Sequence, residues 1–567
     1  MVDFSLKRFV SFFKYFLFFF YFSAVYHLLC IIFKITGTVG LRESFYMSFL
    51  WMTLVLLFNN KAKKVAAFIG IVLWLGSLFS LGYFALYGQE FSQSVIFIIF
   101  ESNLTESSEF LETYFVWWLI PMVLIYSFIA FYLWKKLDDG LDIKIYKKLI
   151  FVLLFTAIPF HKFIDNYIVG NKSLTDSSYI QMKRMETATP WNIAFSYVTY
   201  RIDLANMERL IHANTNLKPL KNLKDKYKDE DTTLVLVIGE STNRNRMSLY
   251  GYKRDTTPQL QKLKKDLVLF DNVYSPRPYT IEVLQQALTF ADEENPDLYL
   301  DKPNLINIMK QAGYETFWIT NQQTQTKRNT MLTTFSQMCD HQVYLNNNRK
   351  QNSAAYDGAV LKPFEDVLNN DMHKKRFIVV HLLGTHNRYK YRYPKEFAIF
   401  DNKGGLEGLN SEQKTLYNEY DNAVYYNDYV VSKLIETIKN HNESNIAMLY
   451  LSDHGEEVFD NVFEKRLGRN ENNPTKAMYT IPFMVYQNEK WKSTIGNNIA
   501  KNANHRLYSS SNLIYTFSDL AGIYFDDFDA SKSIINKNFY QYSVYIGDPY
   551  SKNKLRDLTK KPFKQQS

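Results

Sequence analysis

The feature that most limits what this chain can fold into is the crowding of its apolar residues at one end. Residues 9–33 read FVSFFKYFLFFFYFSAVYHLLCIIF, long enough for a helix to cross a hydrocarbon core about 30 Å thick. Residues 65–87 and 114–134 are comparable spans. Residues 45–58 are shorter and follow Arg42 and Glu43, while residues 149–160 run into His161, Lys162 and Asp165. Each of these two, taken alone, also fits a buried or interfacial helix. Residues 91–100 are too few to cross and read as an interfacial segment. The mean hydropathy of −0.25 conceals this division.

Loop charges set the expected count. Lys7 and Arg8 precede the first span, Lys61, Lys63 and Lys64 lie between the second and third, and Lys135, Lys136, Lys144, Lys147 and Lys148 lie between the fourth and fifth. The connection 88–113 has no Lys or Arg and five Glu. The positive-inside rule is met at every loop by five spans with a cytoplasmic N-terminus, which sends the chain beyond about residue 170 out of the cytoplasm. A cleaved signal fits poorly, because a small-residue cleavage site is missing and further spans follow. The net charge of +9 suits anionic partners such as phosphorylated substrates or a lipid surface, without pointing to nucleic acid. Two cysteines, Cys30 and Cys339, exclude a multi-disulfide framework.

Three regions are expected: a transmembrane domain over 1–169, a bridge over 170–230 and a catalytic domain over 231–567. Within the bridge, residues 191–210 have amphipathic character suited to a membrane surface. Residues 221–231, KNLKDKYKDED, read as a solvated linker. Beyond Thr232, short β-branched runs alternate with helical stretches. The predicted strands are 234–238, 316–320, 377–383, 446–451 and 481–486; the predicted helices include 257–264, 280–289, 303–311, 412–441 and 510–521. That alternation indicates an α/β domain with a mostly parallel sheet covered on both faces. Ligands of such sheets bind at the carboxyl ends of the strands.

Three strands deliver chemistry to that edge. LVLVIG ends in Glu240, IAMLYLS ends in Asp453 and His454, and FIVVHLLG ends near His386. Two carboxylates and an imidazole are a donor set for zinc or manganese. Thr280, after the Pro-rich turn Arg277-Pro278-Tyr279, is placed at a helix N-cap, where backbone N–H groups and the helix dipole favour phosphate. A metal on its oxygen would make it a nucleophile at neutral pH. Each residue alone has an ordinary structural explanation, such as a cap or a surface histidine; their convergence on one edge is what points to phosphoryl transfer.

The same residues carry a family resemblance. IGEST at Glu240, NRMSLYGYKRDTTP, SPRPYT at Thr280 and LSDHGEE at Asp453 resemble the phosphoethanolamine transferases of Gram-negative bacteria, members of the alkaline phosphatase superfamily. The stretches ALTFADEENPDLYL, TFWITNQQTQTKRNTMLTTFSQ and IVVHLLGTHNRYKYRYP resemble the branch that modifies heptose of the lipopolysaccharide core. The resemblance implies five spans and a periplasmic catalytic domain in the bacterial inner membrane. It implies one zinc on Glu240, Thr280, Asp453 and His454, with manganese the lesser candidate. It also implies phosphatidylethanolamine as donor, a covalent Thr280 intermediate, and lipopolysaccharide or another periplasmic glycan as acceptor. His386 would bind the phosphoryl oxygens or relay a proton, and Asn321, Gln322 and Lys327 would contact substrate. The acidic stretch 101–112, ESNLTESSEFLE, would form a lid holding the lipid amine through Asn103 and Glu106. One departure stands out: where relatives often carry a second histidine, this chain has Arg469, which can bind phosphate but cannot ligate metal. A glycerol-phosphate transferase of the same fold and an inactive membrane scaffold are the competing readings. A sulfatase is disfavoured, because Ser275-Pro276-Arg277-Pro278 lacks the C/S-x-P-x-R spacing.

Overall fold

The structure, a computed structural model, describes residues 6–33, 38–87, 117–141, 145–170, 173–186, 188–189, 191–213, 219–323, 330–346, 356–370, 375–401, 406–460, 465–471, 473–550 and 555–563. Asn103, Glu106, Lys327 and the segment 91–100 lie outside the described residues. The chain divides into two compact units, Met1–Asp203 and Leu204–Ser567.

The first unit is helical. Helices α1 (Leu6–Ile32), α2 (Val39–Leu57), α3 (Ala62–Tyr87), α4 (Leu119–Lys135) and α5 (Ile145–Ala157) carry its apolar sequence. Two stretches, Arg8–Ile32 and Ala62–Ala85, are long and apolar enough to cross a membrane. Lys147–Ala157 and His161–Val169 together reach that length but are bent by 73°, and Leu119–Lys135 is a shorter apolar helix. Among the described residues the unit is therefore a membrane-type helical region with two such helices, or three if the bent pair is one span. Helix α2 differs because its buried face carries Glu43, ion-paired with Arg184 and Arg42. Phe68, Phe79, Leu124 and Phe128 stay exposed, as hydrocarbon permits and water does not.

The second unit is built on a seven-stranded mixed sheet: β1 (Thr232–Gly239), β2 (Leu267–Phe270), β3 (Glu315–Gln323), β4 (His341–Asn346), β5 (Arg376–His381), β6 (Asn445–Ser452) and β7 (Phe483–Gln487), in the order β2-β7-β6-β1-β5-β3-β4. Strands β1, β5 and β6 are buried along their whole length, which is why their sequences are continuous apolar runs rather than alternating ones. The strands from β6 through β1, β5 and β3 to β4 are parallel, whereas β7 runs antiparallel to both β6 and β2. The expected mostly parallel sheet thus has an antiparallel margin. A 30-residue helix, Ser411–Asn440, covers it, started by a capping box between Asn410 and Gln413.

The charged run expected as a linker belongs to this unit. Lys224–Asp225 pairs with Ile523–Tyr524, Asp225 is ion-paired with Lys375, and Tyr227 is buried edge-on against Trp491. Most of its charges face water while Asp225 and Tyr227 anchor it, so charge composition alone misplaced it.

Candidate active site

Register brings the three strand ends level. Ile238 lies opposite His381 on β5 and Leu451 on β6, and Gly239 lies opposite Ser452. The residues that follow, Glu240 and the Asp453–His454 pair, therefore emerge side by side. Ser241 is forced into the left-handed region at φ 59°, a strain that a non-glycine residue holds only when its surroundings fix it. Asp453 supplies that fixing: its Oδ1 accepts from the Ser241 N–H at 3.0 Å and from the His454 N–H at 2.7 Å.

Glu240, Asp453 and His454 are buried, and one ligand atom from each lies within 4.8 Å of the others. His454 Nδ1 contacts the Gly455 carbonyl at 2.9 Å, which places the proton there and turns the Nε2 lone pair towards the carboxylates. Nε2 is 3.3 Å from Glu240 Oε1 and 3.2 Å from Asp453 Oδ2. Asp453 Oδ2 is buried with no hydrogen bond. Two buried carboxylates facing one imidazole nitrogen, with an orphan oxygen between them, fit a divalent cation of zinc type. Burial, with the Glu240 charge beside it, pushes the Asp453 carboxyl up. Burial opposes ionisation of Glu240 too, but the His454 contact and the Arg469 charge hold it well below the usual range.

Thr280 joins this cluster as the first residue of the helix Thr280–Ala287, not as its N-cap; Tyr279 occupies the cap position without a side-chain cap bond. The correction matters chemically. A capping oxygen would be occupied by the helix, whereas Thr280 Oγ1 donates to Glu240 Oε2 at 3.0 Å and sits 3.4 Å from His454 Nε2.

Gln322 and Asn321 are buried and bonded to the protein's own groups. Gln322 Nε2 donates to the Leu382 carbonyl at 2.8 Å and to Glu240 Oε2 at 3.3 Å, so it orients the carboxylate. Asn321 Nδ2 donates to Asp357 Oδ1 at 2.8 Å, and Asp357 in turn accepts from the N–H groups of Leu383 and Gly384. Asp357 thereby shapes the turn that leads to His386. Gly384, at φ 55°, lies where a Cβ would strike the Glu240 backbone at 2.6 Å. Thr385 straps the same turn to the Glu240 carbonyl through its N–H at 2.9 Å. Burial lowers His386 to about 4, so its ring is neutral at neutral pH, and Nδ1 is buried without a hydrogen bond. Two participants escaped the sequence reading, Gln322 as an orienting group and Glu456. The signal for Glu456 was present in LSDHGEE, a third carboxylate just past the Asp-His pair. Its side chain is buried, with Oε2 3.2 Å from Arg469 Nε.

The Sulfatase family matches residues 232–523. Phosphoethanolamine transferase EptC of Escherichia coli K12 is 47% identical over 557 residues, covering 97% of this chain and 96% of the relative. The chain belongs to the phosphoethanolamine transferases. Phosphoethanolamine transferase CptA of Salmonella typhimurium is equally similar, at 47% over 555 residues, with 97% of this chain and 96% of the relative covered. The crystallised C-terminal periplasmic domain of Escherichia coli EptC in complex with zinc is 54% identical. It has a TM-score of 0.60 and covers 62% of this phosphoethanolamine transferase and 99% of that domain. The fold of the whole chain matches the integral membrane lipooligosaccharide phosphoethanolamine transferase A of Neisseria meningitidis, at 19% identity and TM-score 0.63, covering 93% and 97% of the two chains. The second unit is accordingly an alkaline-phosphatase-like domain.

Proposed function

We propose that this phosphoethanolamine transferase takes its group from phosphatidylethanolamine and passes it through a covalent Thr280 intermediate to lipopolysaccharide, at the core heptose. One observation carries the reading: Thr280 Oγ1 is hydrogen-bonded to a metal-type carboxylate while free of any capping duty. In the first transfer Oγ1 bonds to phosphorus, the bond to the glycerol oxygen breaks, and the proton now shared with Glu240 Oε2 leaves with diacylglycerol. In the second, the acceptor oxygen bonds to phosphorus, the Thr280 Oγ1–phosphorus bond breaks, and the acceptor proton returns to Oγ1 by way of neutral His386. Glu240, Asp453, His454 and Thr280 would hold zinc, which supplies Lewis acidity to the attacking hydroxyl and the phosphoryl oxygens. The zinc complex of the Escherichia coli domain supports that metal.

The protein sits in the bacterial inner membrane on five spans, N-terminus cytoplasmic and catalytic unit periplasmic. Asn103 and Glu106 hold the lipid amine and Lys327 contacts the substrate. The test is peptide mass analysis of the full chain after incubation with phosphatidylethanolamine and zinc in detergent. A phosphoethanolamine adduct on Thr280, absent in Glu240→Ala, is the expected result. Absence of both adduct and diacylglycerol would instead favour phosphatidylglycerol as donor or an inactive scaffold, and repeating the incubation with that lipid and manganese separates these two.

A further inference from the structure

Arg469 reaches the same histidine nitrogen as the nucleophile. Its Nη1 donates to His454 Nε2 at 2.6 Å and lies 3.9 Å from Glu240 Oε1, while its Nε is 3.2 Å from Glu456 Oε2. The backbone explains why it is there. Leu467–Gly468 pairs antiparallel with Glu457–Val458, which lays the 467–471 segment alongside the stretch that follows His454. Gly468 adopts φ 83° and sets the direction of the next residue. Two residues further on, Glu471 grips Arg277 through both carboxylate oxygens, tying this segment to the turn that presents Thr280. The guanidinium also lies 5.9 Å from the ring of Tyr279. A permanently charged group is thus clamped between nucleophile turn and metal-type ligands, with Nη2 making no hydrogen bond among the described residues.

We propose that Arg469 is a catalytic residue that binds the phosphoryl oxygens during both transfers, and that Glu456 is the positioning residue that aims it. The inference rests on the Thr280 reading above. A phosphoryl group on Thr280 Oγ1 carries its non-bridging oxygens towards the guanidinium, because Oγ1 and Nη1 meet at one nitrogen, His454 Nε2. The planar fork suits two such oxygens, and its charge needs no second metal to counter the phosphoryl charge. When Nε2 ligates a cation its lone pair is taken, and Nη1 is released to an oxygen of the substrate. The structural alternative is that Arg469 merely neutralises buried Glu456 and Glu240.

The full-length protein in detergent separates these. Diacylglycerol release and the Thr280 adduct are followed together with zinc content, melting temperature and inhibition by vanadate, a mimic of the transferring phosphoryl group. Arg469→Ala is expected to keep its zinc and its melting temperature, to form the adduct roughly 100-fold more slowly, and to lose most vanadate inhibition. Added guanidinium ion, but not sodium at equal ionic strength, restores part of the rate. Arg469→Lys keeps the charge without the fork and falls between the two. Glu456→Gln slows adduct formation in the wild-type background and adds nothing to Arg469→Ala. Undiminished adduct formation and vanadate inhibition in Arg469→Ala overturn the proposal while leaving the Thr280 reading intact. Loss of zinc or of the folded state in both Arg469→Ala and Arg469→Lys also overturns it, in favour of the structural role. Failure of the wild type itself to form the adduct under these conditions overturns the underlying Thr280 reading instead.

Discussion

Two buried charge clusters follow strand β1, and they obey opposite rules. In one, Arg246 donates through Nε to Asp421 at 2.8 Å, through Nη1 to the Val458 carbonyl and Asp460, and through Nη2 to the Tyr417 carbonyl, with the Tyr417 ring stacked at 3.6 Å. The second oxygen of Asp421 accepts from Arg254 and from Tyr252. In the other, Glu240 and Asp453 face one imidazole, and Asp453 Oδ2 accepts nothing. A fully satisfied buried network rigidifies its surroundings, while a half-satisfied one is costly until a ligand completes it. Pairing, rather than burial or charge, separates scaffold from chemistry here.

The contrast can be broken in four ways. Thr280→Ala should lower phosphoethanolamine transfer by at least about a thousandfold without lowering the melting temperature. A matching fall in melting temperature would show that the open cluster is structural after all. Arg246→Met should do the reverse, costing about 3–5 kcal/mol of stability because the buried Asp421 Oδ1 and Asp460 lose their guanidinium partner. Thermal melting of the full chain reads this, and an unchanged melting temperature would remove the scaffold assignment. Gln322→Leu frees Glu240 Oε2 from its orienting amide and should weaken zinc binding or transfer roughly 10-fold, measured by chelator competition and diacylglycerol release.

The smallest effect is on pH. Burial lowers His386 from 6.5 to about 4. The folded ring is then neutral where the unfolded one is charged, so the unfolded state binds the extra proton, and stability falls as pH drops from 6.5 towards about 4. Melting temperatures of wild type and His386→Asn across that window should show the larger acid drop in the wild type. Equal drops would mean that the ring titrates alike in both states.

Much of this was legible in the residues. Continuous apolar runs placed β1, β3, β5, β6 and β7, and the residues just past β1 and β6 named Glu240, Asp453 and His454. Strands β2 and β4 were missed because Leu267–Phe270 is only four residues long and His341–Asn346 is half polar and partly exposed. Position in the helix also escaped the sequence: a Thr after a Pro-rich turn looks like a cap, and only the backbone at Tyr279 moves it one residue inward.

The sequence by itself determined which side chains could do the chemistry and that an apolar, membrane-type region precedes them, since residue types and runs are local properties. Tertiary structure alone decided that Gln322 serves Glu240, that the 221–231 run is part of the second unit, and that Arg469 shares His454 Nε2 with Thr280. The side-chain pairs are 82, 174 and 15 residues apart, and the run is joined to the chain's far end by pairing of Lys224–Asp225 with Ile523–Tyr524. Their meeting depends on strand register and on a hairpin's direction, which no local pattern of residue types encodes.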